Sequence, residues 1–369
     1  MASRLSSRLL VLALALGDIL LTGMRRRPAD KPWRILIAHH LLLGDTLMLT
    51  PLLAKLRQRY PDAEIVMTVP KPIVPLYAGR PYGVEALAYD PRDRHTLSAL
   101  WERRGFDLAL VPGDNRFSWL ARALRSRWVV AFAGDRPAWK NWPADQLTPY
   151  PGTPAAWGDM VAGLVAGPAP RPYQVADWPA PAFMPFELPP QPYCVLHVGA
   201  SSSLKMWAAD KWLALAEQLV LRGFQPIWSG GPGEEALVSR IDPAGKYPSL
   251  AGRLDLPQLW HFLKHASLLV CPDTGVAHLG RLTATPTVTL FGPGSAVICG
   301  AGEFWRASPY RVVTAEIACR DQDVLFRRHI GWVRRCGRGV GECARPRCME
   351  AIGVDTVLAT VDEMLAGRA

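Results

Sequence analysis

Short apolar segments recur along the sequence and alternate with longer stretches that suit helices. Residues 34–38, 64–69 and 108–111 form such segments in the first half, and residues 193–198 and 287–291 form them in the second. Buried strands of a parallel sheet have this length and composition, and crossover helices account for the stretches between them. The pattern predicts an α/β fold.

A proline-rich stretch divides this pattern in two. Nine of the 25 residues at 168–192 are proline, which excludes a regular helix or a central strand there. A chain of 369 residues is also long enough for two domains. We therefore predict one doubly wound domain at 31–167, a linker at 168–192, a second doubly wound domain at 193–350 and a closing helix within 351–369.

Composition limits the kind of partner. Hydrophobic residues make up 49% of the chain and charged residues 20%, as in a folded protein. The net charge of +10 favours an anionic ligand or surface, whereas the dispersed arginines and the lack of a zinc-finger or RNA-binding signature argue against nucleic acid. Seven cysteines, an odd number, favour a reducing compartment, so we expect a cytoplasmic protein.

The first 30 residues combine a leucine-rich run with basic flanks. Arg4 and Arg8 precede the run at 9–21, and Arg25, Arg26 and Arg27 follow it. The run is short and contains an aspartate, so a membrane-spanning helix is disfavoured and a signal peptide is a weaker reading. An apolar helix between arginines suits a peripheral anchor on the cytoplasmic face of the inner membrane, and a helix packed on its own protein is the alternative.

Ligands of open parallel sheets bind beyond the carboxyl ends of the strands, so the loops that follow strands are candidate sites. Gly44, Asp45 and Thr46 follow the first strand, and leucines at helical spacing over 46–59 predict a helix there. The aspartate would face the cleft between the two domains. An ordinary N-cap is the alternative for an aspartate before a helix.

The loop at 199–207 follows the first strand of the second half. Its small residues allow a ligand to approach the backbone closely, and Lys205 supplies a mobile positive charge. Further hydroxyl donors come from Ser201, Ser202 and Ser203. This composition suits a diphosphate. No G-x-G-x-x-G fingerprint is present, so a dinucleotide-dependent oxidoreductase is a weak alternative.

A third loop begins with Asp273, Thr274 and Gly275 after another apolar strand, and a helix starts within it. The amides at a helix N-terminus bind phosphate readily. The run Pro-Thr-Val-Thr-Leu-Phe-Gly at 286–292 makes this pattern more specific than the other two loops. His278, one turn into the helix, is either a donor contact or a structural hydrogen-bonding residue.

Together with Thr50-Pro51, Trp207 and the glycine-rich turn at 230–232, the three loops resemble glycosyltransferase family 9, the heptosyltransferase family of lipopolysaccharide core synthesis. The elements occur in the family's order, and the resemblance runs from about residue 34 to residue 365. It implies a GT-B fold with two Rossmann-like domains that face a central cleft. The N-terminal domain would hold a lipopolysaccharide or related glycolipid acceptor and the C-terminal domain ADP-heptose, with no metal and no cofactor.

The resemblance also implies roles for individual residues. Asp45 matches the family's proposed catalytic base, and Lys205 matches the residue near the donor phosphates. Residues 273–275 match the donor-binding loop. Glu234 or Glu235 is similar to the family's contact with the nucleotide ribose. Direct attack by the acceptor hydroxyl would invert the anomeric centre.

A basic segment at 315–350 separates the last motif from the closing helix and carries four cysteines, namely Cys319, Cys336, Cys343 and Cys348. Four cysteines could bind zinc, but their spacing lacks the C-x2-C pairs of structural zinc sites. A segment that faces the acceptor or the membrane is the alternative.

Two other functions stay open at this level. A transferase of the same fold could use a different nucleotide sugar, because no residue identifies the sugar ring. A catalytically inactive nucleotide-binding or membrane-associated scaffold is the second alternative, against which the presence of both Asp45 and Lys205 argues.

Overall fold

The computed structural model describes residues 2–22, 27–190 and 192–367, with the backbone alone at 2–5 and 22. Of the predicted basic flanks, the Arg4 side chain, Arg25 and Arg26 lie outside this part of the chain. The chain divides into two compact units. Unit 1 contains the described residues up to Pro172 with Ala176–Pro179 and Val324–Trp332, and unit 2 contains Tyr173–Val175, Ala180–Asp323 and the described residues from Val333 onward.

Unit 1 is built on a parallel sheet. Its strands are β1 (Arg34–Ile37), β2 (Glu64–Val69), β3 (Val84–Ala88), β4 (Phe106–Val111), β5 (Ser126–Phe132) and β6 (Gln146–Thr148). They lie in the order β3-β2-β1-β4-β5-β6, and every pairing is parallel. Ile35, Leu36 and Ile37 are all fully buried, as expected for a central strand covered on both faces.

Helices precede, connect and follow these strands. They are α1 (Ala2–Thr22), α2 (Leu43–Leu47), α3 (Thr50–Arg59), α4 (Arg94–Glu102), α5 (Phe117–Ala123) and α6 (Trp157–Ala162), with 3-10 turns at Lys71–Tyr77, Pro81–Gly83 and Ala138–Lys140. The single helix predicted over 46–59 is divided into α2 and α3. Pro51 lies in the first turn of α3, where its missing amide N–H costs no intrahelical bond, so a new helix begins there.

Unit 2 repeats the arrangement with fewer strands. Its strands are β7 (Tyr193–His197), β8 (Gln225–Ser229), β9 (Leu268–Pro272), β10 (Thr287–Phe291) and β11 (Tyr310–Thr314). They form a parallel sheet in the order β11-β10-β9-β7-β8. Its core contains the fully buried indole rings of Trp212 and Trp228.

The helices of unit 2 are α7 (Ala209–Leu221), α8 (Glu235–Ile241), α9 (Leu256–His265), α10 (Gly275–Leu282), α11 (Ala296–Cys299), α12 (Arg347–Glu350) and α13 (Val354–Ala366), with a 3-10 turn at Ser203–Lys205. A further 3-10 turn at Val175–Asp177 has residues in both units. α9 begins where the Asp255 carboxylate accepts the Gln258 amide and the Gln258 side chain accepts the Asp255 amide. This capping box satisfies two donors and fixes the start of the helix.

A short hairpin from the basic segment belongs to unit 1 and not to the predicted second domain. It consists of β12 (Val324–Leu325) and β13 (Arg328–His329). The Arg328 guanidinium, 3% exposed, donates to the carbonyls of Gly113, Phe132 and Ala133 and to the Asn115 side chain. These bonds explain why residues 324–332 pack with β4 and β5 of unit 1.

α1 packs along α5 through one face. Ala15 is fully buried against Trp119 and Ala123, with Val11 and Leu14 beside it. The other face exposes an apolar set, Leu9, Leu10, Leu16, Leu20 and Leu21. The predicted helix therefore packs on its own protein and also presents a leucine-rich surface. Within the described residues no helix has both the length and the apolarity needed to cross a membrane.

Candidate active site

Asp45 lies in the first turn of α2, beyond the carboxyl end of β1. The residue in the cap position of α2 is Leu42, whose side chain makes no capping bond, so the N-cap alternative for Asp45 is wrong. Gly44 and Asp45 are half-buried. Thr46 is fully buried and its hydroxyl donates to the Leu41 carbonyl at 3.3 Å, which fixes the loop that carries the aspartate.

Two histidines precede this loop. His39 is buried, and its Nδ1 accepts the Leu41 amide at 3.2 Å while its amide donates to the Thr68 hydroxyl at 2.8 Å. Burial, with a smaller contribution from His40, lowers the pKa of His39 to about 3. His39 is thus a neutral residue that holds the β1–α2 loop against β2.

Lys205 and Asp273 form the centre of the candidate site in unit 2. The Lys205 Nζ donates to the Asp273 carboxylate at 2.8 Å and to the Asp273 carbonyl at 2.9 Å. The Lys205 side chain is 25% exposed and that of Asp273 is 9% exposed. An ammonium group has three protons, so one donor is left for a ligand. The structure therefore unites two of the predicted loops, at 199–207 and 273–278.

The α10 N-terminus continues this site. Thr274 is the cap residue and makes no side-chain capping bond, and Gly275 opens the helix. A β-carbon at Gly294 would overlap the Asp273 carboxylate, so a glycine is needed there for the carboxylate to lie where it does. Amides of the first helical turn lack intrahelical partners and suit phosphate oxygens.

His278 lies inside α10 and is buried. Burial, followed by the charges of Arg281 and Lys205, lowers the pKa of His278 well below its ordinary value. The ring is therefore neutral at physiological pH, although it lies close enough to Lys205 to sense its charge.

Glu234 and Glu235 occupy different places. The Glu234 carboxylate accepts the Gly231 amide at 2.6 Å and lies against Gly199, where a β-carbon would overlap it. Glu235 is exposed, and its carboxylate lies against Gly252. Glu234 is thus the carboxylate at the carboxyl ends of β7 and β8, where a nucleotide ribose is expected.

The three serines of the loop differ in exposure. Ser202 is half-buried, and its hydroxyl accepts the Leu204 amide at 3.3 Å. Ser201 and Ser203 are exposed. The indole N–H of Trp207 donates to the Ile352 carbonyl at 3.0 Å, which fastens the end of the loop to the core.

Replacing Gly199 by alanine is expected to weaken ADP binding about tenfold, because the new methyl group displaces the Glu234 carboxylate, the predicted ribose contact. Titration calorimetry with ADP measures the effect. Gly152→Ala is the matched control, since a β-carbon at Gly152 meets no atom within 4 Å. Equal affinity in all three proteins would show that Glu234 does not hold the nucleotide.

Stability is expected to fall as the pH drops from 6.5 to 5. Burial lowers the pKa of His197 to about 4 and that of His39 to about 3, and it also lowers that of His278. The unfolded chain protonates these rings near pH 6.5 and the folded chain does not, so His197 and His39 each cost about 2 kcal/mol at pH 5, and His278 acts in the same direction. Urea unfolding at several pH values in this range measures the slope of the unfolding free energy against pH. The slope should be shallower in His197→Gln and unchanged in the exposed His95→Gln.

The structure does not gather the four cysteines into a metal site. Among the described residues, no group of three or more His, Cys, Asp or Glu side chains is placed to hold a metal ion. The Cys343 thiol donates to the Arg345 carbonyl at 3.3 Å, and Cys348 is buried. The zinc alternative therefore has no support in the part of the chain that the structure describes.

A buried ionic network beyond β4 and β5 was not predicted. The Lys140 Nζ lies 2.8 Å from the Asp114 carboxylate and 3.2 Å from that of Asp135. Burial opposes ionisation of Asp114, but hydrogen bonds from Arg116 and Lys140 outweigh it and lower its pKa to about 2. Both aspartates follow apolar strands, so a search of every loop after a strand would have found them.

Part of this chain matches a known protein family. Residues 171–313 match the sequence profile described as glycosyltransferase family 9 (heptosyltransferase). A lipopolysaccharide heptosyltransferase 3 of Escherichia coli is 24% identical over 298 residues, which cover 71% of this chain and 83% of that protein.

Two solved structures have the same fold. A family 9 glycosyltransferase of Veillonella parvula superposes with a TM-score of 0.69 at 16% identity, covering 92% of this chain and all of that one. An Escherichia coli heptosyltransferase solved with ADP gives a TM-score of 0.68 at 16% identity, covering 90% and 99% of the two chains.

These findings confirm the predicted class, since a GT-B fold of two parallel-sheet α/β units and this family match define a glycosyltransferase. More particularly, residues 171–313 are a glycosyltransferase family 9 domain, and the chain is a homologue of heptosyltransferases. Lys205, Glu234 and the loop at 273–278 all lie within that domain.

Proposed function

We propose that the protein transfers heptose from ADP-heptose to the lipopolysaccharide core, with inversion of the anomeric centre and without a metal ion. The observation that carries the proposal is the pairing of Lys205 with Asp273 at the α10 N-terminus, inside the region that matches the heptosyltransferase family. Such a site combines a cation and helix amides, which suits the diphosphate of a nucleotide sugar.

The chemistry requires a base and a counter-charge. Asp45 takes the proton of the acceptor hydroxyl while the hydroxyl oxygen forms its bond to the anomeric carbon. The bond from that carbon to the diphosphate breaks at the same time, and ADP departs with the electron pair. Because the oxygen attacks from the side opposite the leaving group, the configuration inverts.

Lys205 neutralises the charge that develops on the departing phosphate. Asp273 is a positioning residue, because it holds two of the three ammonium protons and thereby aims the third. The amides at Thr274 and Gly275 supply further donors. In this proposal the protein itself provides the positive charge that a divalent metal supplies in other transferases.

We propose that the protein acts at the cytoplasmic face of the inner membrane, where the exposed leucines of α1 are in peripheral contact with lipid. Names of relatives such as lipopolysaccharide heptosyltransferase 3 support a membrane-borne acceptor. Removal of residues 1–24 is expected to abolish binding to vesicles that contain anionic lipid. Unchanged binding would contradict the contact.

A transfer assay tests the proposed function. Purified protein is mixed with heptose-deficient lipopolysaccharide and, in parallel, ADP-heptose and a panel of other ADP-, UDP- and GDP-sugars, each with and without EDTA. We expect transfer from ADP-heptose alone, at the same rate with EDTA, and a product of inverted configuration by NMR. Transfer from another donor alone would refute the heptose assignment, and ADP binding without any transfer would favour the scaffold.

A further inference from the structure

A cavity of about 300 Å³ in unit 1 takes no part in the mechanism above. It lies between α1, α5, the 3-10 turn at Ala138–Lys140 and the hairpin of β12 and β13, which contribute Arg8, Trp119, Trp139 and Arg327 among others. Tyr89 also lines it and contacts the His40 ring, with 6.5 Å between centroids. The cavity thus adjoins the loop that leads to Asp45.

The lining of the cavity is basic. Four of its residues are cationic, namely Arg8, Arg116, Arg327 and Lys140, and none of the lining residues is an aspartate or a glutamate. Arg116 and Lys140 share the Asp114 carboxylate. Arg8 and Arg327 are exposed and form no ion pair with any described residue. Their charge is available to an anionic ligand.

Two buried polar atoms at the cavity lack partners. The Ser7 hydroxyl, on a residue 4% exposed, and the Trp119 indole N–H, on a residue 9% exposed, make no hydrogen bond within the described structure. Both residues line the cavity. Buried polar groups are seldom left unpaired, and both of these can donate. Together with the arginines, these two donors favour a ligand with several acceptor oxygens.

The rest of the lining is apolar. The rings of Phe117, Trp119 and Trp139 and the side chains of Val11 and Leu12 form the walls. An inorganic anion alone would leave these walls uncovered. The lining therefore fits a phosphate that is attached to a larger, partly apolar molecule.

The backbone holds Arg327 at the cavity in an uncommon conformation. Phe326 and Arg327 form the two-residue turn of the hairpin with φ angles of +46° and +64°. Glycine and asparagine are the usual residues there, and other residues are strained. The neighbouring Arg328, with its bonds to β4 and β5, fixes the turn and so fixes the position of the Arg327 side chain.

We propose that this cavity binds a phosphate group of the glycolipid acceptor, with Arg8 and Arg327 as its charged contacts and the Ser7 hydroxyl and Trp119 indole as further donors. The inference rests on the proposed function, because it presumes a glycolipid acceptor. The exposed leucines of α1, on the same helix as Ser7 and Arg8, provide an apolar surface beside the site for the lipid part of that molecule.

The test measures acceptor binding without any donor. Heptose-deficient lipopolysaccharide is titrated into the full chain, into the double variant Arg8→Gln/Arg327→Gln and into Arg127→Gln, an exposed arginine at the start of β5 that does not line the cavity. We expect about tenfold weaker binding by the double variant alone. Its thermal midpoint should equal that of the wild type, because both arginines are exposed and unpaired.

Two modified acceptors identify the group that is recognised. Dephosphorylated acceptor should bind the wild type about as weakly as the intact acceptor binds the double variant. The affinity of the double variant should not fall further when the acceptor is dephosphorylated. De-O-acylated acceptor that keeps its phosphates should still distinguish the two proteins. Equal affinity of the wild type and the double variant for intact acceptor would overturn the proposal. A further loss of affinity when the double variant is given dephosphorylated acceptor would overturn it as well. So would equal affinity of the two proteins for the de-O-acylated acceptor.

These outcomes are independent of the transfer assay. If the arginine-dependent binding is observed but heptose is not transferred, the donor assignment fails and the phosphate site stands. If heptose is transferred and the double variant binds like the wild type, the phosphate site fails and the proposed function stands.

Discussion

Replacement of Asp45 by alanine is expected to lower kcat about 1,000-fold while the affinity for ADP stays unchanged. The reason is that Asp45 is the proposed general base, whose removal slows proton transfer. The candidate donor contacts, Lys205, Glu234 and 273–275, all lie in unit 2. The measurement is the rate of heptose transfer at saturating donor and acceptor, together with titration of ADP.

Two further variants make this result specific. Asp45→Asn keeps the shape of the side chain and removes its charge, so it should be nearly as slow as the alanine variant. Asp62→Ala removes an exposed carboxylate of unit 1 just before β2 and should leave kcat unchanged. Wild-type turnover in Asp45→Asn would mean that another group accepts the proton.

Replacement of Lys205 by alanine is expected to lower kcat/KM about 100-fold, with both a higher KM for the donor and a lower kcat. The variant lacks the ammonium that we propose as the counter-charge for the leaving phosphate. It also leaves the Asp273 carboxylate, 9% exposed, without the ammonium 2.8 Å away, so the carboxylate then repels the donor. Steady-state kinetics with varied ADP-heptose separates the two effects.

Lys246→Ala is the matched control for this change. Lys246 pairs with Glu217 at 3.0 Å in the same unit, and both side chains are about half exposed. In a double-mutant cycle, Lys205→Ala and Asp273→Asn should be strongly non-additive, because the two side chains act as one unit. Additive losses would show that Asp273 does not position Lys205.

Several strands could be predicted from the short apolar segments of the sequence. β2 and β10 begin and end at the predicted residues, and β7 differs only at its end, because runs such as Glu64–Val69 and Thr287–Phe291 are bounded by residues that suit turns. The loops after strands also indicated Lys205 and Asp273. Their direct contact could not be predicted, since it depends on the order of β7 and β9 in the sheet.

The hairpin at 324–332 shows the limit of such reasoning. Composition placed it in the second domain, because the basic segment is continuous along the chain. Its position is decided by one buried guanidinium, that of Arg328, which satisfies carbonyls more than 190 residues earlier. No local pattern distinguishes this arginine from its many neighbours, so a long-range polar contact of this kind appears only in the structure.

The place of Arg328 in the sequence has a consequence for biosynthesis. The six strands of the parallel sheet in unit 1 are complete once residue 148 has left the ribosome, yet the guanidinium that donates to the carbonyls of Gly113, Phe132 and Ala133 is translated about 180 residues later. The Phe132 carbonyl also accepts the Asn115 side-chain amide at 2.8 Å, but until then the carbonyls of Gly113 and Ala133 lack the guanidinium and must bond to water. The first half of the chain therefore cannot reach its final form during its own synthesis, and a fragment that ends at residue 172 lacks a part of its own interior.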